Sequence, residues 1–97
     1  MKQIIYRRAA IDELRDAVLW YEEHRPGLGN ELLDEVMDRL QDVVRAPQRF
    51  AIEYRNVRSA LLRKFPYSIY FVNKRSVVEI VSVFHHGRDP TTWHRRL

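Results

Sequence analysis

The stretch from Phe84 to Leu97, FHHGRDPTTWHRRL, holds three of the chain's four histidines and three of its arginines. It begins on the last residue of the apolar run VVEIVSVF. An imidazole exchanges protons near neutral pH, and a guanidinium grips a phosphate or a carboxylate through paired N–H groups. His85 and Arg88, with Arg58 and Arg63 from the preceding β-rich segment, are therefore candidates to hold an anion, either a phosphate or an acidic peptide. His85 and His86 are adjacent on a presumed strand, which sends their rings to opposite faces, so they do not chelate one metal. Which of the two meets the helix-covered face is left open by the spacing.

Other chemistries lack their residues. With Gly27, Gly29 and Gly87 as the only glycines there is no phosphate-binding loop, and no nucleophile elbow occurs. No cysteine is present, which removes a disulfide framework and any Cys-based zinc site. No cofactor and no metal are expected.

The elements that must position these residues follow from hydrophobic period. QIIYR (3 to 7) reads as a first strand. Ile11, Leu14, Val18 and Tyr21 then recur at helical spacing, with Asp12 and Glu13 expected in the first turn and His24-Arg25 in the last. Trp20 is expected between the helices. Pro26-Gly27 ends that helix, and Asn30 is the expected N-cap of a second one whose stripe is Leu33, Val36, Leu40 and Val43 or Val44. Pro47 stops it, and the short RPGLG join makes the pair an antiparallel hairpin.

From Phe50 the pattern is β: FAIEYR, VRSALLRKF, YSIYFVN and VVEIVSVFHH, separated by turn signals, of which the one near Arg55-Asn56 is the weakest and leaves the strand count at about four. The last of these is apolar on both alternations, Val78, Ile80 and Phe84 on one and Val77, Val81 and Val83 on the other, which marks a central strand. The expected fold class is α+β: a small antiparallel sheet of about four strands, in the order β-α-α-β-β-β, with the helical hairpin on one face. The opposite face is expected to be partly open and lined by arginines, and a short tail or helical turn begins at Thr91.

Ninety-seven residues, 45% hydrophobic, make one domain, residues 1–97. The start, MKQIIYRRAAIDELRD, turns charged too early for a signal peptide and no run is long enough to cross a bilayer, so a cytoplasmic protein without membrane contact is expected. The net charge of +4 is unevenly spread: residues 1 to 48 carry 7 Lys and Arg against 10 Asp and Glu, and residues 49 to 97 carry 10 against 3. A basic C-terminal half suits a polyanion or an acidic protein partner.

Several phrases together resemble the RelE/ParE superfamily of toxins from bacterial toxin-antitoxin pairs. They are A-x-x-E-L and W-Y-E-E in the first helix (Ala10, Glu13, Leu14, Trp20 to Glu23) and the join R-P-G-L-G-N-E-L (Arg25 to Leu32). To these are added Val57 to Phe71 and the ending V-F-H-x-x-R-D-P-x-x-W-x-x-R (Val83 to Arg96). The resemblance implies a toxin held inactive by an antitoxin whose acidic, amphipathic C-terminal segment wraps it. W-Y-E-E and the ending are closer to the ParE-like branch, whose members block DNA gyrase and are not nucleases.

The RelE-like branch instead cuts mRNA on the ribosome. On that alternative His85, Arg58, Arg63 and Arg88 would supply phosphate contacts and a titrating group, and Glu53 a base. That branch commonly places a tyrosine in the tail; none follows Val83 here, and Trp93 has no phenol to replace it. A third reading is a degenerate toxin that retains only antitoxin binding. For target or antitoxin binding the expected residues are Arg58, Arg63, His85, Arg88, Trp93 and Arg96.

Overall fold

The computed structural model describes residues 2–97. Strand β1 (Gln3–Tyr6) leads into helices α1 (Arg8–His24) and α2 (Leu28–Arg45) and a short 3-10 turn (Pro47–Arg49). Strands β2 (Ile52–Tyr54), β3 (Val57–Leu61), β4 (Tyr67–Asn73) and β5 (Val77–His85) follow, and then α3 (Thr91–His94). The sheet has five strands in the order β1-β5-β4-β3-β2. It is mixed rather than wholly antiparallel, because β1 runs parallel to β5 at one edge. That pairing lies beyond periodicity: the helical hairpin lets the first strand return to the side of the last, and either direction would keep the same alternation.

Helix α1 starts earlier than its charges suggest. Arg7 is its N-cap, and Asp12 and Glu13 fall in the second turn. Its most buried positions are Ala10 and Ala17, with Ile11, Leu14 and Val18 displaced towards one flank. Two alanines at the contact let the helix approach the sheet closely, so the large side chains ride beside the line of contact. In α2 the buried stripe is Leu32, Val36, Leu40 and Val43; Leu33 is only partly covered.

Gly27, not Asn30, is the N-cap of α2, at φ 91°, a left-handed conformation that glycine adopts without a Cβ clash. The carboxylate of Glu22 accepts the N–H groups of Gly27 and Gly29 at 3.0 and 3.1 Å. A side chain near the end of one helix thus satisfies the unpaired amides that open the next, where negative charge is favoured. A Cβ on Gly29 would lie 2.6 Å from the Val18 carbonyl oxygen, so only glycine permits this contact between the helices. W-Y-E-E and R-P-G-L-G are two halves of one junction.

Strand β5 is interior, between β1 and β4. One extra residue sits between Ile80, opposite Phe71, and Ser82, opposite Tyr70. The bulge breaks strict alternation. Val78, Ile80 and Val83 pack under the helices, while Val81 and Phe84 face the other side, so Val83 and Phe84 exchange the faces that alternation assigns them.

That other side is not an open arginine-lined surface. Val57, Val72, Val81 and Phe84 form a second apolar cluster there, with Tyr54 and Tyr70 at its margin, and Trp93 from α3 closes it. Beside it Glu79 holds Arg7 at 3.0 Å and Lys74 at 3.1 Å. The Arg7 hydrogen bond is the main reason that the Glu79 carboxyl lies below its ordinary value of 4.5, against the opposing effect of burial. A depressed carboxyl stabilises the fold above its unfolded pKa and loses that contribution as the pH falls through the folded value. Glu79→Gln is therefore expected to lower stability at neutral pH and to flatten its fall below about pH 4.5. Urea melts at stepped pH check this; parallel curves for the two proteins would refute it.

Candidate functional site

The chain end is built to a plan that its residues explain. Gly87 donates its N–H to His85 Nδ1 at 2.8 Å as the chain leaves β5. The Asp89 carboxylate then accepts the Thr91 N–H at 3.0 Å, and Pro90 stands at the N-cap of α3. That hydrogen bond holds the Asp89 carboxyl below its ordinary value. The turn carries Trp93 onto the sheet, where it is 1% exposed and stacked on Tyr70 at 4.3 Å. His94 lies flat on Tyr54 at 3.9 Å.

Arg96 fastens the tail. Its Nη2 reaches the Glu13 carboxylate at 3.3 Å, and its carbonyl accepts Arg7 Nη1 at 3.0 Å. Glu13 also accepts Ser82 Oγ at 2.8 Å and the Val83 N–H at 3.2 Å. The pairing of β1 with β5 extends only as far as Tyr6 and Ile80, and Glu13 takes over as acceptor beyond it. The E of A-x-x-E-L is thus a joint between α1, β5 and the tail, a role that no local signal in the sequence marks.

The expected site residues fall in separate places. Arg58 pairs across the sheet with Phe71, on the helix side, and donates to the Phe50 carbonyl at 2.7 Å, tethering the segment before β2. Arg63 is in the β3–β4 turn, where its own N–H and that of Lys64 are held by the Glu35 carboxylate. Glu53 accepts Ser59 Oγ at 2.9 Å on the opposite face. Trp93, buried, and Arg96, bound to Glu13, belong to the fold instead of a free binding surface.

The histidines divide as alternation requires. His86 faces the side away from the helices, within 2.7 Å of Ser68 Oγ, while His85 stands edge-on to Tyr67 at 5.0 Å on the helix side. His85 therefore marks the rim of the helix-covered face, not of the opposite one. There it joins Arg88 in a cleft of about 380 Å³, walled by Asp16, Trp20, Tyr21 and Tyr67. Trp20, expected to be enclosed by the hairpin, is 53% exposed. The sequence signal was Glu13, Asp16, Trp20 and His24 at spacings of three and four, a second face of α1 beside the buried one.

A different surface lies on the hairpin. Ile11, Leu14, Val18, Leu19 and Leu33 line an apolar groove with Arg15 at its margin, and Leu19 is 53% exposed. Among the described residues no cluster of acidic, histidine or cysteine side chains could hold a metal, and no helix is long and apolar enough to cross a membrane.

Comparison with known proteins agrees with this architecture. Residues 4–90 match the family described as ParE toxin of type II toxin-antitoxin system, parDE. No curated protein sequence matches the chain. Among solved structures it is similar to one described as the chromosomal ParDE TA system from P. aeruginosa. The two are 18% identical with a TM-score of 0.76, over 88% of this chain and 96% of that one. At that identity the likeness speaks for the fold.

Proposed function

Since the chain belongs to the ParE toxin family of type II toxin-antitoxin systems, we propose that it arrests growth by binding a protein target, DNA gyrase, and that a cognate antitoxin neutralises it. One observation carries the choice of a binding mechanism over RNA cleavage. The groups that would have to cooperate on a ribose and its phosphate, Glu53, Arg58, Arg63, His85 and Arg88, are spread over both faces and a turn. General acid–base catalysis needs them within hydrogen-bond reach of one substrate. Arg58 is further committed to backbone carbonyls.

The antitoxin reading rests on the hairpin groove. An amphipathic helix would lay its apolar face on Ile11, Val18, Leu19 and Leu33, and an acidic side chain would meet Arg15 at the margin. The arginine-lined sheet face expected from sequence contributes little, because α3 and Trp93 occupy much of it.

Induced expression in bacteria tests the class of activity. Growth is expected to stop, co-expression of the adjacent reading frame's product to restore it, and mapped mRNA ends to show no new codon-positioned cuts. Such cuts, ribosome-dependent and appearing at once on induction, would move the protein to the endoribonuclease reading.

A further inference from the structure

The cleft between α1 and the end of β5 holds groups that the fold leaves uncommitted. Arg88 forms no ion pair among the described residues; its guanidinium rests 4.8 Å from the ring centre of Phe84, which faces away from the helices, so Arg88 stands at the rim of the cleft and meets a ligand there by a turn of its exposed side chain. Asp16 is exposed and likewise without an ion pair among the described residues. His85 has its Nδ1 engaged by Gly87, so its Nε2 carries the proton and stands as a donor. Trp20 is held in place from behind: the His24 ring stacks on it at 3.8 Å, and His24 Nδ1 donates to the Trp20 carbonyl at 2.7 Å. Burial pushes the Tyr67 phenol above its ordinary value, with nearby Arg88 acting the other way.

These groups select a ligand by elimination. A bare anion would meet Arg88 and His85, leave Trp20 idle and be repelled by Asp16; the other carboxylate of the lining, Glu13, is paired with Arg96. A neutral aromatic would use Trp20 alone. The volume, about 380 Å³, is in the range of small-molecule sites and too small for a folded partner. What uses all four is a compact molecule with an anionic end, a flat centre and a donor edge.

We propose that this cleft binds a purine nucleoside monophosphate: phosphate on Arg88 and the His85 Nε2–H, base against Trp20, and the donor edge of the base on Asp16. Guanine is the preferred base, because it presents an N1–H and an N2 amino group side by side to a carboxylate, whereas adenine offers one amino group. The proposal is independent of the toxin's target, gyrase or ribosome.

Calorimetric titration of the full chain with guanosine 5′-monophosphate at low salt tests it. Saturable binding is expected, weakened about tenfold by Arg88→Gln, which removes a charge-assisted contact. Trp20→Leu is expected to weaken it roughly tenfold or more through lost stacking. Asp16→Asn should erase the preference for guanosine over adenosine monophosphate, and guanosine or inorganic phosphate alone should bind far more weakly than the nucleotide. All three side chains are on the surface, so unchanged melting curves will verify folding. No saturable heat with the wild type, or binding indifferent to all three substitutions, overturns the proposal. Inorganic phosphate binding as tightly as the nucleotide also overturns it, since the site would then read only charge.

Discussion

Trp93→Ala should lower stability by about 3–5 kcal/mol, the range for truncating a buried aromatic side chain. For a chain of this length that is a fall in melting temperature of roughly 15–30 °C. The loss is large because Trp93 closes a core of its own. Val57, Val72, Val81 and Phe84 lie on the side of the sheet that the helices do not reach, and no other element of the tail replaces the indole over them. Its stack on Tyr70 would go too, and Tyr54, edge-on to Trp93 at 6.1 Å, would lose a neighbour. Trp93→Phe keeps an aromatic ring and should cost only about 1–2 kcal/mol. Thermal melts of the two variants decide it: a Trp93→Ala protein that melts within a few degrees of wild type would mean that α3 is not seated on the sheet in solution.

Glu13→Ala should cost about 2–3 kcal/mol, as it strands a partly buried guanidinium and leaves a hydroxyl and an amide without their acceptor. Glu13 is 13% exposed and Arg96 27%, so the pair is partly shielded from water, and the cost lies below that of a fully buried one. A local signature separates this from general weakening. The Val83 amide, which donates to Glu13, should exchange with solvent faster under native conditions. Arg96→Ala added to Glu13→Ala should cost less than the two single losses together, because one interaction is shared. Unchanged Val83 protection in Glu13→Ala would contradict the joint described above.

Both residues show where sequence reading stops. Glu13 was visible as part of a phrase, yet its partners are on β5 and in the tail, about 70 and 83 residues away. Trp93 was expected among the binding residues of the tail, and no local signal marks it as the side chain that would close a whole face of the sheet. The helical hairpin, the interior placement of β5 and the turn at Thr91 followed from period and from Gly and Pro positions, which are local signals. Parallel pairing of β1 did not, because a four-residue strand carries no mark of its partner. The bulge before Ser82 is equally silent, since an added residue in an all-apolar run changes no pattern while it exchanges the faces of Val83 and Phe84.

The arginines were the least legible part. Residue type predicts affinity for anions, and in Arg58 the anion-like partners proved to be the protein's own carbonyl oxygens. Arg96 was taken by Glu13. Of the expected cations only Arg88 stands beside the histidine it was matched with, and their companions Trp20 and Asp16 come from a helix about 65 to 72 residues earlier in the chain.

On the mode of action proposed above, this toxin occupies a protein and does not cut RNA. Purified protein added to a DNA gyrase supercoiling assay is the decisive measurement. Inhibition, or trapping of cleaved DNA, rising with toxin concentration and relieved by the antitoxin, is the predicted result. Full supercoiling at a large excess of folded toxin would contradict it.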